Sequence, residues 1–117
     1  MRPTIADKRR DFRALHDNGC FVIPNPWDVG SAIYLQSLGF KALATTSSGF
    51  AWSCGRPDAS MSRDEVLAHL QAIVAATDLP VNADFDIGYA GDAAAVAESV
   101  QLAVETGVVG LSIEDAT

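Results

Sequence analysis

Cysteine is scarce and positive charge is in deficit. Only Cys20 and Cys54 stand in 117 residues. With no close metal-type spacing they argue against a disulfide scaffold and for a reducing cytosol, so a cytoplasmic protein is expected. Eight Lys and Arg against fifteen Asp and Glu give a formal charge of −7. That balance argues against nucleic acid or an anionic membrane surface as partner. No apolar window approaches the roughly 18 residues that span a bilayer. The basic start is not followed by an apolar run, so it does not read as a secretory signal. What is present is a 49% hydrophobic composition, enough for one small domain with a packed core.

The apolar periodicity alternates between helix and strand. Residues 7–18 read as an amphipathic helix with Phe12, Leu15 and Ile5 on its apolar side. Residues 20–23 read as a first strand, broken by Pro24 and Pro26, with Cys20 in the core. A helix over 28–38 follows, capped by Asp28 and burying Ile33 and Leu38. Residues 40–45 are the second strand, and 46–61 a long loop. Ser62 and Glu65 form a capping box for a helix to about residue 77 carrying Val66, Leu67, Leu70, Ile73 and Val74. A third strand starts at Val81. Asp92 caps a helix with Val96, Val100, Leu102 and Val104, and residues 108–113 are the fourth strand. Repeating strand–helix units with right-handed crossovers give an α/β fold with a parallel sheet. An open doubly wound sheet and part of a (β/α)8 barrel both accommodate it. Strand faces favour the barrel: Asn82, Asp84 and Asp86 share one face of the third strand, and Gly110, Ser112 and Glu114 one face of the fourth. A small, polar face at strand C-terminal ends suits a barrel interior opening into a site.

Asp84, Asp86 and Glu114 are the leading constellation. Like charges about 4 Å apart repel by roughly 4 kcal/mol at an effective dielectric of 20, and a hard divalent cation is the usual compensation. The plain alternative is that they are turn and cap residues. Thr46, Ser47 and Ser48, just past the second strand, offer hydroxyls and N–H groups to a carboxylate or phosphate; the alternative is an ordinary polar loop. Arg56 and Asp58 lie in the same long loop, where an Arg–Asp pair is the bland reading. Trp27 and Trp52 are pocket walls or core. His16 and His69 are read as surface or structural, and Cys54 has no partner base.

An ordered series of segments resembles the isocitrate lyase/phosphoenolpyruvate mutase superfamily. It comprises Phe12-Arg13-Ala14-Leu15-His16, Pro24-Asn25-Pro26-Trp27-Asp28-Val29-Gly30-Ser31-Ala32, the Ser-Gly loop, Gly55-Arg56-Pro57-Asp58, Asp84 to Tyr89 as Asp-x-Asp-x-Gly-Tyr, and Ile113-Glu114-Asp115. The resemblance implies a TIM (β/α)8 barrel, of which residues 1–117 are the N-terminal half with strands one to four. It implies a Mg2+-dependent enzyme (Mn2+ as substitute) that makes or breaks a C–C or P–C bond next to a 2-oxo acid through a metal-stabilised enolate. Its substrate is a small 2-oxo or 2-hydroxy acid. Asp84 is the nearest metal ligand by resemblance, with Asp86 and Glu114 acting largely through water. Thr46, Ser47 and Ser48 cradle the substrate carboxylate. Asp58 and Asp84 are the catalytic acids, Asp58 ordering water or substrate. Two departures stand out. The family's glycine-rich segment reads Thr-Ser-Ser-Gly here, and the lyase branch's catalytic cysteine loop falls beyond residue 117. The open strand edges of a half barrel imply a homo-oligomer. The contrasting reading is a non-catalytic half-barrel that binds ligand or self-associates.

Overall fold

The computed structural model describes residues 1–115. Its elements run α1 (Ile5–Leu15), α2 (Val29–Ser37), β1 (Leu43–Ala44), α3 (Ser47–Ser53), α4 (Arg63–Ala76), β2 (Val81–Asp84), α5 (Ala93–Glu105) and β3 (Gly110–Ser112). The three strands form one parallel sheet in the order β1-β2-β3, with Leu43 opposite Val81 and Asp84 opposite Ser112. Sequential neighbours in a parallel sheet are what a singly wound barrel wall requires; a doubly wound sheet reverses its order.

One face of this sheet is apolar. Leu43, Val81, Ala83 and Phe85 are buried with Val66, Leu70, Ile73 and Val74 of α4 and with Ala103 of α5. The other face carries Asn82, Asp84, Gly110 and Ser112, as the period of two predicts. Gly110 is needed there, because a Cβ on it would sit 2.6 Å from Asn82 Oδ1. Asp86 and Glu114, expected on the same strand faces, lie instead beyond the strand ends.

The helix caps follow the sequence closely. Asp28 accepts from Ser31 N and Asp92 from Ala95 N, each closing a helix N-terminus. Ser62 accepts from Glu65 N, but the reciprocal half of the box is not made. The Glu65 carboxylate is drawn instead to Arg56, at 2.5 Å.

Four further expectations are corrected. Residues 20–23 are not a strand, so three strands, not four, are formed among the described residues. Pro24 and Pro26 have no N–H to give to a ladder, and the segment meets β1 through Ala44 N donating to Pro24 O and the Asn25 amide donating to Ala44 O. Cys20 is exposed, not core. The long loop contains a helix, α3. Finally, α2 and α5 present other faces than expected: Ile33 is 51% and Leu38 57% exposed, and Ala32 and Leu35 face the core. On α5, Val104 is exposed and the small Ser99 and Ala103 are buried.

The N-terminal end of the sheet is closed by α1. Lys8 is buried, and its Nζ donates to Thr77 O at 2.8 Å and Val74 O at 3.2 Å, satisfying carbonyls at the end of α4. Burial, and then Arg2, hold its pKa below the usual lysine value, with Asp78 opposing. Arg9 does the same for α5, donating to Val104 O and Val108 O. The opposite, C-terminal end of the strands is left to the loops that carry the acids.

Candidate active site at the C-terminal ends of the strands

Asp84 closes β2, the central strand. Its Oδ2 accepts from Ser47 N at 3.0 Å and Ser47 Oγ at 2.9 Å, and its Oδ1 accepts from Asp86 N at 3.3 Å. Its own N–H donates to the buried Thr45 hydroxyl. Three hydrogen bonds thus fix the carboxylate at the strand end, and a fourth fixes its backbone. Ser47 begins α3, and Thr46 caps it by accepting from Gly49 N. Gly49 is itself pinned, since a Cβ there would meet Thr46 at 2.5 Å.

Beyond Asp84 the chain turns sharply. Gly88 N donates to Phe85 O, and Asp86, Gly88 and Tyr89 all take positive φ, at 50°, 84° and 56°. For Tyr89 that conformation is costly and held only by its surroundings; its ring packs edge-on against Phe85 at 5.0 Å. Burial, followed by the charges of Asp86, Asp84 and Asp58, raises the Tyr89 phenol well above its ordinary value and keeps it a neutral donor. In the sequence Tyr89 stands only as part of a motif, and its neighbours in the fold are what make it a site residue.

Asp86 is half-buried. Its carboxyl is raised by burial first, then by the negative charges of Asp58 and Asp84, while the Ile87 N–H opposes the rise. Asp58, from the long loop, is exposed and accepts from Ala59 N, and its field reaches Asp86 and Tyr89. Glu114 is exposed; its N–H donates to Asp86 O at 2.7 Å, extending the pairing of β2 and β3 beyond the strands. Asp58, Asp84 and Asp86 therefore share one electrostatic neighbourhood, with Glu114 following on the adjacent strand. Among the described residues, none of the four acids is in a salt bridge, and no three His, Cys, Asp or Glu side chains are grouped to grip a metal ion directly. The donor chemistry nonetheless fits a hard cation of the Mg2+ type, which takes one or two carboxylates and completes its octahedron with water.

Two candidates behave differently from expectation. The Ser47 donors are committed to Asp84, which leaves Thr46 and Ser48 as the rest of the cradle; their hydroxyls share a hydrogen bond of 3.3 Å, and that of Thr46 also accepts from Gly49 N. Arg56 does not pair with Asp58; it bridges Glu65 and Ser60 O. Trp27 and Trp52 are both largely exposed, Trp27 on a groove of about 590 Å³ between α2, α3 and α4.

A consequence for Asp86 follows. An acid whose folded pKa lies above its unfolded one loses stability as pH rises through that window, because the folded state holds the extra proton. Asp86→Asn keeps the left-handed backbone, which Asn tolerates, and removes the charge. We expect the variant to be more stable than wild type at pH 7 by roughly a few tenths of a kcal/mol, the scale of a screened charge contact. The gain should vanish at pH 3, and urea melts at the two pH values check it.

The profile of the family described as phosphoenolpyruvate phosphomutase matches residues 12–117. The chain is 36% identical to 2-methylisocitrate lyase of Escherichia coli over 86 residues, 72% of this chain and 29% of that protein. It is 36% identical to an uncharacterised Mycobacterium tuberculosis protein over 107 residues, covering 91% of this chain and 40% of the relative. Among solved structures, a candidate lyase/mutase of Burkholderia cenocepacia superposes with a TM-score of 0.94 at 52% identity, covering 97% of this chain and 41% of that one. Oxaloacetate acetylhydrolase bound to oxalate superposes with a TM-score of 0.85 at 31% identity, over 94% and 40%. The chain thus spans about 30–40% of the length of these relatives.

Proposed function

Because the chain belongs to the phosphoenolpyruvate mutase/isocitrate lyase superfamily, we propose that it supplies the first half of a (β/α)8 barrel enzyme acting next to the oxo group of a small 2-oxo or 2-hydroxy acid. The named relatives include lyases, a phosphorylmutase and a hydrolase. The bond broken or formed is C–C or P–C. One observation carries the reading. Asp84 is locked at the end of the central strand beside Asp86 and Asp58, and burial and like charge raise Asp86. Perturbed acids gathered at strand C-terminal ends are where this architecture places its chemistry.

In this account Asp84 is the nearest ligand of a Mg2+ or Mn2+ ion, and Asp86 and Glu114 hold its water shell. A metal held there would supply Lewis-acid stabilisation of negative charge on the 2-oxo oxygen of the substrate. Ser47 orients the Asp84 carboxylate through Oδ2. Thr46 and Ser48 offer hydroxyls to the substrate carboxylate. Asp58 orders water or substrate at the mouth, and the neutral Tyr89 phenol is available to donate there. The exposed Ile33 and Tyr34 on α2 and Leu38 at its C-cap support self-association into a homo-oligomer.

The test is a screen of the full-length protein against 2-oxo and 2-hydroxy di- and tricarboxylates with Mg2+. Turnover that a chelator abolishes and Mg2+ restores is the expected outcome. Binding of these acids without turnover would favour the non-catalytic reading.

A further inference from the structure

We propose that His69 is a positioning residue for this site: its neutral ring, stacked on Phe50, sets the seat of α3, so that Ser47 reaches Asp84, and protonating it loosens that grip. The inference rests on the reading of Asp84 as the metal-bearing carboxylate.

α3 has seven residues, too few to hold together without tertiary contacts. Its position is set by the burial of Ala51, by the Ser47–Asp84 bonds, and by Phe50. The Phe50 ring lies on that of His69 with centroids 3.8 Å apart and planes at 12°. His69 belongs to α4, a fourteen-residue helix anchored by the buried Val66, Leu70, Ile73 and Val74. The stack therefore ties a short helix to a longer, well-anchored one, three residues from the serine that holds Asp84.

The buried edge of the ring, more than the stack itself, disfavours the charged imidazolium. His69 Nε2 is buried and has no hydrogen-bond partner among the described residues. A proton placed there would have no acceptor and little water. The charged and titratable groups facing the ring come from three elements. Asp28, at the head of α2, attracts a positive ring, but its carboxylate already caps Ser31 N. Arg56 and Glu65 are paired with each other, and Cys54 lies at the end of α3 on the same groove. Burial holds the ring down to about pKa 4, with Asp28 opposing the shift. A base whose folded pKa is lowered is fully accommodated above its unfolded value, near 6.5, and loses that stability as pH falls through the folded one.

The experiment follows the Ser47 amide and the His69 ring by NMR in the whole chain, without metal, from pH 7 to 3.5. A His16→Gln background leaves one histidine to assign. We expect the Ser47 amide to carry a component that titrates with the His69 ring. His69→Phe, which keeps a stacked ring and cannot titrate, should lose that component and hold Ser47 as wild type does at pH 7. His69→Ala should raise Ser47 amide exchange at pH 7 by roughly three- to tenfold, the loss expected for an aromatic pair. An identical Ser47 titration in wild type and His69→Phe would overturn the proposal, since Asp84 would then account for all of it. Unchanged Ser47 exchange in His69→Ala would do so as well. If His69→Ala does not fold, the wild-type and His69→Phe titrations still decide. No readout involves a metal, so failure here is distinct from failure of Asp84 as a ligand.

Discussion

Asp84→Asn in the full-length protein is expected to lower metal-dependent turnover by at least about a hundredfold, the scale of losing a main stabiliser of a developing negative charge. The fold should survive. Asparagine keeps one oxygen to accept from Ser47 N and Oγ, which hold Oδ2 at 3.0 and 2.9 Å. What it loses is the charge and the weak acceptor contact to Asp86 N at 3.3 Å, and with the charge the ability to compete for a divalent cation. The wild type should gain about 2.7 kcal/mol of stability at a hundredfold excess of Mg2+ over its dissociation constant; the variant should gain little. Thermal melts with and without Mg2+, beside kcat at saturating metal, separate the two effects. Turnover within threefold of wild type, about 0.7 kcal/mol of barrier, would place the metal elsewhere.

Phe85→Ala should cost about 3–5 kcal/mol, a large share of the roughly 5–15 kcal/mol that holds a domain of this size folded. Phe85 is completely buried and is the largest side chain so enclosed. It follows Asp84, whose side chain lies on the other face of β2, and leads into the turn that carries Asp86, so the backbone that buries it positions both acids. Its ring also supports Tyr89 in its left-handed conformation. Urea melts of the chain should show a fall in midpoint with little change in slope. A loss below about 1 kcal/mol would mean that the cavity collapses freely and that this strand is not the anchor of the site.

The parts of the fold that were legible in the sequence obey strict local rules. The period of two put Asn82 and Asp84 on one face and Ala83 and Phe85 on the other, and burial follows that alternation. Asp28, Ser62 and Asp92 announced helix starts by side-chain chemistry that acts within three residues. What was missed depends on distant partners. Residues 20–23 have strand-type side chains, but the prolines after them cannot complete a ladder. α2 is apolar nearly all round, so its inner face could not be told from Ala32, Ile33, Leu35 and Leu38 alone; packing against α4 decides it. α3 has a weak helical sequence, Ser-Ser-Gly-Phe-Ala-Trp-Ser, and is held by Ala51, by the Phe50–His69 stack and by Asp84. Lys8 reads as a surface residue until the carbonyls of Val74 and Thr77 are brought to it. At the site, the acids were visible through spacing. That Ser47 is spent on Asp84, and that Tyr89 and Asp58 share the field of Asp86, emerges only when the loops fold over the strand ends.

Paramagnetic broadening by Mn2+ tests the central claim most directly, because it locates a cation even when binding is weak. Backbone amide signals of the chain are followed as Mn2+ is added in small steps. The account predicts that Ser47, Asp84 to Gly88 and Glu114 lose intensity first and together, and that Asp84→Asn abolishes this pattern. Broadening centred on the exposed acids of α1, or spread evenly over the surface and unchanged in Asp84→Asn, would contradict it.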